Sequence, residues 1–480
     1  GTLITVDSGL IAGIAAVTLI FDGIHAIALV FGASLIGISV DYALHYLVLP
    51  ADEKSPTARI ATIRSGLSLG LLTSVCGFAV LAISPAILLA QIAVYSIAGL
   101  IAAYVTVLFI LPLLPVRSVK HRSLIPRMYQ KLDDTLRRLH LPRLVRGMAA
   151  LAILGGFAIC ILFIPTDDDI RHLGHGNDTL TTQARLIGDT MGMGGNPVFI
   201  RIDGADSQSR LQTGEAVQNA LRPLIKDGTV GSAFGLSDMI PSIKDHLFEV
   251  YAPKLAPLIP INIQMPYPGA PYLHADEDAF AQFPELANLR DGTTDIVRLN
   301  AVTDANAVAT AIANIDAARL INPRATITDQ FSHYRNWATV GLAIALLSAG
   351  ILAIARYGMI RGLCVLGTPA GAMLVALGGA ATIGITINFF TIMALFLVFA
   401  IGADYVIFFS ESQKHRQQDA TRFAVFLSLI SSILAFGLLA SSSVPVVSAI
   451  GTIMAIGLPT AWVLSYAMCP TSVKADQSDV

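Results

Sequence analysis

The chain has 480 residues, 54% of them apolar and only 13% charged, with a mean hydropathy of +0.67 and a formal net charge of −2. A soluble protein carries about a quarter charged residues, so a purely soluble enzyme is disfavoured, and the charge balance argues against a nucleic-acid partner. The four cysteines (Cys76, Cys160, Cys364, Cys469) are scattered through apolar runs without paired spacing, which indicates neither a disulfide framework nor a zinc site.

A spanning helix needs about 20 largely apolar residues. In chain order the candidates are roughly 2–20, 25–48, 62–83, 87–113, 145–165, 335–356, 361–383, 387–410, 421–441 and 445–469. Between the fifth and sixth lies 166–332, rich in charge, proline and glycine. The pattern predicts five spans, an aqueous domain and five more spans. Gly1 falls close to a helix start, with no initiator Met and no signal peptide ahead of it, so the chain is expected to be N-terminally truncated.

Orientation follows from the basic residues of short loops. The segment 115–147 holds nine lysines and arginines, from Arg117 to Arg146, against Asp133 and Asp134, and is expected to be cytoplasmic. The span 145–165 then leads outside, where Asp167, Asp168 and Asp169 follow at once. Arg356, Arg361, Lys414, Arg416 and Arg422 fall in later cytoplasmic turns, while the mixed loop 50–59 gives no preference. The domain organisation expected is therefore 1–113 helical, 114–144 a basic cytoplasmic linker, 145–165 a span, 166–332 extracytoplasmic, 333–470 helical and 471–480 a cytoplasmic tail.

Within 166–332 the pattern is α/β. Pro197–Ile202 reads as a strand and Ser209–Ile225 as an amphipathic helix. Asp295–Leu299 reads as a strand, Asp304–Ile315 as a helix with an acid at its start, and Ala325–Thr328 as a further strand. Two strand–helix units of this kind fit a split βαβ domain. The proline-rich stretch 252–292 is an irregular connection.

The most informative residues are ionisable groups placed at membrane depth. Gly37-Ile38-Ser39-Val40-Asp41-Tyr42 sits in an apolar segment, and Ala400-Ile401-Gly402-Ala403-Asp404-Tyr405 echoes it 363 positions later. Intramembrane acids are expensive, and usually face the bundle interior on an ion or proton path. A shift of 363 also brings Gly1 to Cys364. A shift of 358 brings Thr73-Ser74 to Ser431-Ser432, Phe78 to Phe436, Gly99 to Gly457 and Pro112 to Pro470. The difference of five residues falls in loops, which tolerate insertions where packed helices do not. The Asp-bearing segment runs in the same direction in both copies, which predicts a parallel internal repeat.

With these motifs the chain resembles the resistance-nodulation-division (RND) superfamily of proton-driven exporters, and within it the mycobacterial-membrane-protein-large (MMPL) type and neighbouring predicted exporters. The resemblance spans nearly the whole chain, from what would be the third helix of the family to the twelfth. It implies a polytopic α-helical membrane protein with a porter-like α/β extracytoplasmic domain, in a bacterial inner membrane with the large domain periplasmic. It implies that Asp41, Tyr42, Asp404 and Tyr405 form a proton relay. Thr73, Ser74, Ser431 and Ser432 would be its hydroxyl partners. Two departures are Ala400 where the first copy has Gly37, and Phe408 where it has His45. His45, one turn after Asp41, could extend the relay. The function expected is proton-motive-force-driven export of a hydrophobic or lipid-like substrate, with membrane lipids and protons as partners and no cofactor. Homo-oligomers and envelope partner proteins stay open.

Competing readings have their own residues. Asp41 and Asp404 could be packing glue bonded to hydroxyls across helices. Asp7 is a third acid in an apolar run, expected at the interface or the chain start. His172 and His175 lack a third metal ligand, so no metal site is expected; Gly192–Gly195 opens no helix of nucleotide-binding type. No Walker motif and no catalytic set is legible, so no enzyme is expected. The functional alternatives are a sterol-sensing-like membrane sensor or accessory protein, and a protein-translocation helper using the same relay.

Overall fold

The computed structural model describes residues 1–34, 36–48, 56–114, 127–136, 142–163, 165–169, 182–183, 186, 198–238, 242, 289–412 and 418–469. Asp52, Glu53 and Lys54, His172 and His175, Gly192–Gly195, Lys414 and Arg416, the stretch 252–288 and the tail 471–480 lie outside these residues. The described chain forms two compact units, one of residues 1–174 with 330–480 and the other of 175–329.

The first unit is helical. Its elements are α1 (Thr2–Ile20), α2 (Ala26–Ser34), α3 (Ile36–Leu47), α4 (Pro56–Ala82), α5 (Ile87–Val105), α6 (Arg127–Leu136) and α7 (Arg143–Phe163). Eight described helices are long and apolar enough to cross a membrane, which makes this a multi-pass membrane protein. The segment 25–48, expected as one span, is helical on both sides of residue 35, which lies outside the described residues, as α2 and α3. The helix α7 runs over 21 residues, with its apolar stretch starting at Val145.

The second unit holds β1 (Val198–Asp203), α8 (Ser207–Lys226), β2 (Ser232–Phe234), β3 (Arg290–Asp291), β4 (Thr294–Asn300), α9 (Ala305–Ile312) and β5 (Ala318–Ile321). The strands form one sheet in the order β2-β4-β1-β5, with antiparallel neighbours, and β3 pairs with β4. Along β1, Val198, Ile200 and Ile202 point into a core shared with Val217 and Leu221 of α8, Val297 and Leu299 of β4, and Val308 and Ile312 of α9. Alternation on the strands and helical spacing on the helices make this one apolar layer. Asp206 and Asp304 accept from backbone N–H groups of the first turns of α8 and α9, so each helix starts on a side-chain cap.

One expectation fails here. Ala325–Thr328 is not a strand but part of α10 (Pro323–Tyr357), and the edge strand is β5, just before it. Thr326 and its neighbours have strand-forming side chains, but Pro323 occupies the first helical position, where it loses no hydrogen bond. Asn322 Oδ1 accepts from the Ala325 N–H at 3.2 Å, and the Thr326 hydroxyl folds back on the Asn322 carbonyl.

Four further helices complete the bundle: α11 (Met359–Thr382), α12 (Phe389–Ser412), α13 (Gln418–Ala440) and α14 (Pro445–Met468). The span Phe389–Glu411 is the only one of the eight whose apolar window is buried along its whole length. It is the hub of the bundle, packed on α4, α11, α13 and α14. In the other half α1 packs on α5 and α3, α4 on α5, and α3 on α13; α11 packs on α14 and α7. The approach of α1 to α5 is backbone to backbone, Gly9 facing Gly99, where a Cβ on either would stand 3.1–3.2 Å from the other's carbonyl oxygen. At the start of α12, Phe389 and Phe390 join Phe31, Phe331 and Tyr334 in an aromatic cluster. Thr166 pairs with Ile387 beside it, and Asp168 forms an ion pair with Arg335 at 2.9 Å.

Candidate functional site: two Asp-Tyr pairs at the centre of the bundle

Asp41 and Tyr42 lie in the middle of α3, and Asp404 and Tyr405 two-thirds of the way along α12. All four side chains are buried, none more than 2% exposed. The pairs come from segments 363 residues apart, yet they share one electrostatic neighbourhood. The Asp41 carboxylate acts on Asp404 and on Tyr405, and the Asp404 carboxylate acts on Tyr42. Each phenol is therefore coupled to the carboxylate of the other pair as well as to its own.

Neither oxygen of either carboxylate has a protein hydrogen-bond donor among the described residues, and the Tyr42 hydroxyl has no partner there either. Neither aspartate makes an ion pair among them. Packing glue would show these acids bonded to hydroxyls, with their lone pairs satisfied. Among the described residues neither carboxylate is bonded in that way.

The expected hydroxyl partners divide. Thr73 is buried, but its hydroxyl donates to the Gly70 carbonyl of its own helix at 2.9 Å. Ser74 is buried and its hydroxyl bonds to nothing among the described residues. Ser432 is buried beside Tyr405, and Ser431 is half-buried. The hydroxyl that does bond is Ser428, one helical turn earlier on α13, donating to the Tyr405 hydroxyl at 3.3 Å and lying next to Asp41 as well. Ser428 thus touches one member of each pair. Reading hydroxyls one turn further along α13 missed it, although Ser428, Ser431 and Ser432 share a helix face.

Gly70 is a second residue that spacing alone could not find. A Cβ there would collide with Oδ1 of Asp404, so the carboxylate occupies room left by the missing side chain on α4. His45 is buried and stacks on Phe408, ring centroids 3.5 Å apart at 22°. Asp7 is exposed on α1 and is not brought to the site. Among the described residues no group of three or more His, Cys, Asp or Glu could hold a metal ion.

This bundle and sheet can be set beside solved structures. A heavy metal efflux pump in one crystal form matches with a TM-score of 0.50 at 13% identity, over 98% of this chain and 68% of the pump chain. A second crystal form matches with the same TM-score at 14% identity, over 98% of this chain and 66% of that one. The fold is RND-like. No protein-family model matches the chain, and no curated protein matches it either. The RND-like bundle spans about two thirds of the length of the pump chains it resembles.

Proposed function

We propose that this chain belongs to a proton-motive-force-driven exporter of the bacterial inner membrane, of MMPL type, moving a hydrophobic or lipid-like substrate. The observation that carries the reading is the meeting of Asp41, Tyr42, Asp404 and Tyr405 in the buried centre of the bundle, with no counter-cation on either carboxylate among the described residues. Two coupled acids titrate as a pair. Gaining or losing a proton there changes which helix contacts are favourable, so a pH gradient can bias a conformational equilibrium. The α/β unit outside the membrane would respond to that rocking and move the substrate.

A parallel repeat is supported by how the helices pair. Under the shifts of 363 and 358, α1 corresponds to α11, α3 to the second half of α12, α4 to α13 and α5 to α14. The packing of α1 on α5 then has its counterpart in α11 on α14, and α4 on α5 in α13 on α14. The cross-contacts exchange as well, α3 on α13 against α12 on α4. The sheet order β2-β4-β1-β5, with α8 between β1 and β2 and α9 between β4 and β5, supports a split βαβ reading of the second unit.

The substrate class rests on the resemblance to MMPL-type exporters. The pumps of similar fold favour a metal cargo as a second reading, and a sterol-sensing-like sensor is a third. The test is complementation and export of a labelled lipid in cells lacking the protein, comparing wild type with Asp41→Asn and Asp404→Asn, with and without an uncoupler. The reading requires uncoupler-sensitive export that either substitution abolishes. Unchanged export in both variants would sink the relay. Lipid binding without gradient dependence would favour the sensor, and metal resistance without lipid export would favour the metal pump.

A further inference from the structure

The geometry points to Glu411 as the inner-side proton acceptor of the relay, reached by a hydroxyl path along α4 because the direct way down the bundle is closed by His45 and Phe408. This inference rests on the proton-driven reading above and names a residue that reading does not use.

The closure is geometric. His45 lies one turn beyond Asp41 on α3, and Phe408 one turn beyond Asp404 on α12. Their stacked rings, 3.5 Å between centroids, stand one helical turn beyond both acids. Gly66 of α4 lets Phe408 press against the helix backbone, since a Cβ there would stand 3.0 Å from the ring. A proton leaving the acids along this line meets the carbon face of a benzene ring.

Beside the plug runs a polar line. Tyr42 is coupled electrostatically to both aspartates and to Tyr104 of α5. The Tyr104 hydroxyl is 2.6 Å from the Ser68 hydroxyl of α4. Ser65 precedes Ser68 by three residues, so the two lie on one helix face with Cβ atoms about 5–6 Å apart. Ser65 donates to Oε2 of Glu411 at 2.8 Å. On its other side Glu411 Oε1 accepts from the Tyr357 hydroxyl at 2.9 Å, and Arg356 stands 3.4 Å from Oε2 with 47% of its own side chain exposed. Glu411 itself is buried, at 6%. The path therefore runs from the acids to a carboxylate at the rim, held by Ser65 from α4 and by Arg356 and Tyr357 from α10. Cys469, beyond the end of α14, is the further titratable neighbour of Tyr357.

The proton balance is simple. Between Tyr42 and Tyr104, and between Ser68 and Ser65, where no hydrogen bond joins the hydroxyls, a water has to carry the proton. Each hydroxyl or water that passes a proton on receives another, so all end unchanged. One aspartic acid becomes a carboxylate, the Glu411 carboxylate becomes an acid, and the acid then releases its proton to water. Seven residues separate Asp404 from Glu411, about 10.5 Å along the helix axis. The position equivalent to Glu411 in the first half is Val48, so the path is one-sided.

The test uses the full protein reconstituted in one orientation in liposomes, followed by infrared difference spectroscopy of the protonated-carboxyl band. A pH jump is applied from the Glu411 side or from the opposite side, in wild type, Glu411→Gln, Glu411→Asp, and Asp41→Asn with Asp404→Asn. The expected result is an aspartate signal in wild type that Glu411→Gln slows by about tenfold or more, a barrier about 1.4 kcal/mol higher, only for jumps from its own side. Glu411→Asp is expected to restore most of the rate. Equal rates in wild type and Glu411→Gln, or slowing from both sides alike, would overturn the role of Glu411. No wild-type signal that disappears with the two aspartates would instead overturn the relay itself.

Discussion

The imidazole of His45 and the ring of Phe408 lie nearly parallel at 3.5 Å, and the two residues are separated by the same 363 positions as Asp41 and Asp404. Two positions that correspond under a repeat touch each other only where the symmetry axis passes between them. The stack therefore supports an axis running down the seam of α3 and α12, directly below the acids. A residue on such an axis serves both halves at once, which suits a plug better than a relay. Substituting His45→Phe is accordingly expected to preserve uncoupler-sensitive export, while His45→Ala loses the stack, on the order of 1 kcal/mol beyond its buried area. Export assays of the two variants beside an apparent melting temperature decide this.

Because the acids act on each other, their substitutions should not add. Asp41→Asn, Asp404→Asn and the double variant are each expected to abolish export to the same degree, as groups acting as a unit do. Export rates at one expression level test it. A double variant far worse than either single one would mean two independent sites.

Gly70 gives a test that leaves the carboxylates untouched. Gly70→Ala places a methyl group against Asp404 Oδ1 and is expected to cut export as severely as Asp404→Asn, with membrane insertion intact. Gly378→Ala is the control. It lies on an exposed face of α11 with nothing within 4 Å of the new methyl, and is expected to be neutral or to gain up to about 1 kcal/mol of helix stability.

In the α/β unit, the buried Asp295 carboxylate accepts from Arg290 at 2.7 and 2.8 Å and from Arg210 at 3.3 Å. Removing one partner of such a group leaves buried charge uncompensated, at a cost of about 3–5 kcal/mol. Asp295→Ala is expected to raise hydrogen exchange in β1 and β4 while leaving the helices of the first unit protected.

Asp168 supplies a pH test outside the spans. Burial pushes its carboxyl up, while the Arg335 guanidinium and the Phe389 N–H pull it down without cancelling the rise. A folded-state value above the unfolded one means the group's stabilisation is full below about pH 4 and is lost as pH rises through the folded value. Asp168→Asn, in which Arg335 keeps its bond to Asn336, is expected to flatten the fall of the apparent melting temperature as pH rises above about 4. A parent protein already flat over that range would contradict this.

Composition and hydropathy were enough to establish a multi-pass membrane protein, because an apolar run of spanning length has few other uses in water. They also singled out Asp41-Tyr42 and Asp404-Tyr405, since ionisable groups stand out wherever their surroundings are apolar. Spacing located the strands at Val198–Asp203 and Thr294–Asn300 and the capped helices after them, each of which is written in local alternation. It misplaced the last strand, where Asn322 and Pro323 start a helix that Ile327 and its threonine neighbours argued against. Only the tertiary structure decided that the two Asp-Tyr pairs share one neighbourhood, that Ser428 rather than Thr73 bonds Tyr405, and that Gly70 makes room for Asp404. It also set Glu411 against Ser65 and Tyr357. These outcomes depend on how each helix is rotated about its axis and which neighbour it packs against. A single helix, read alone, does not fix either.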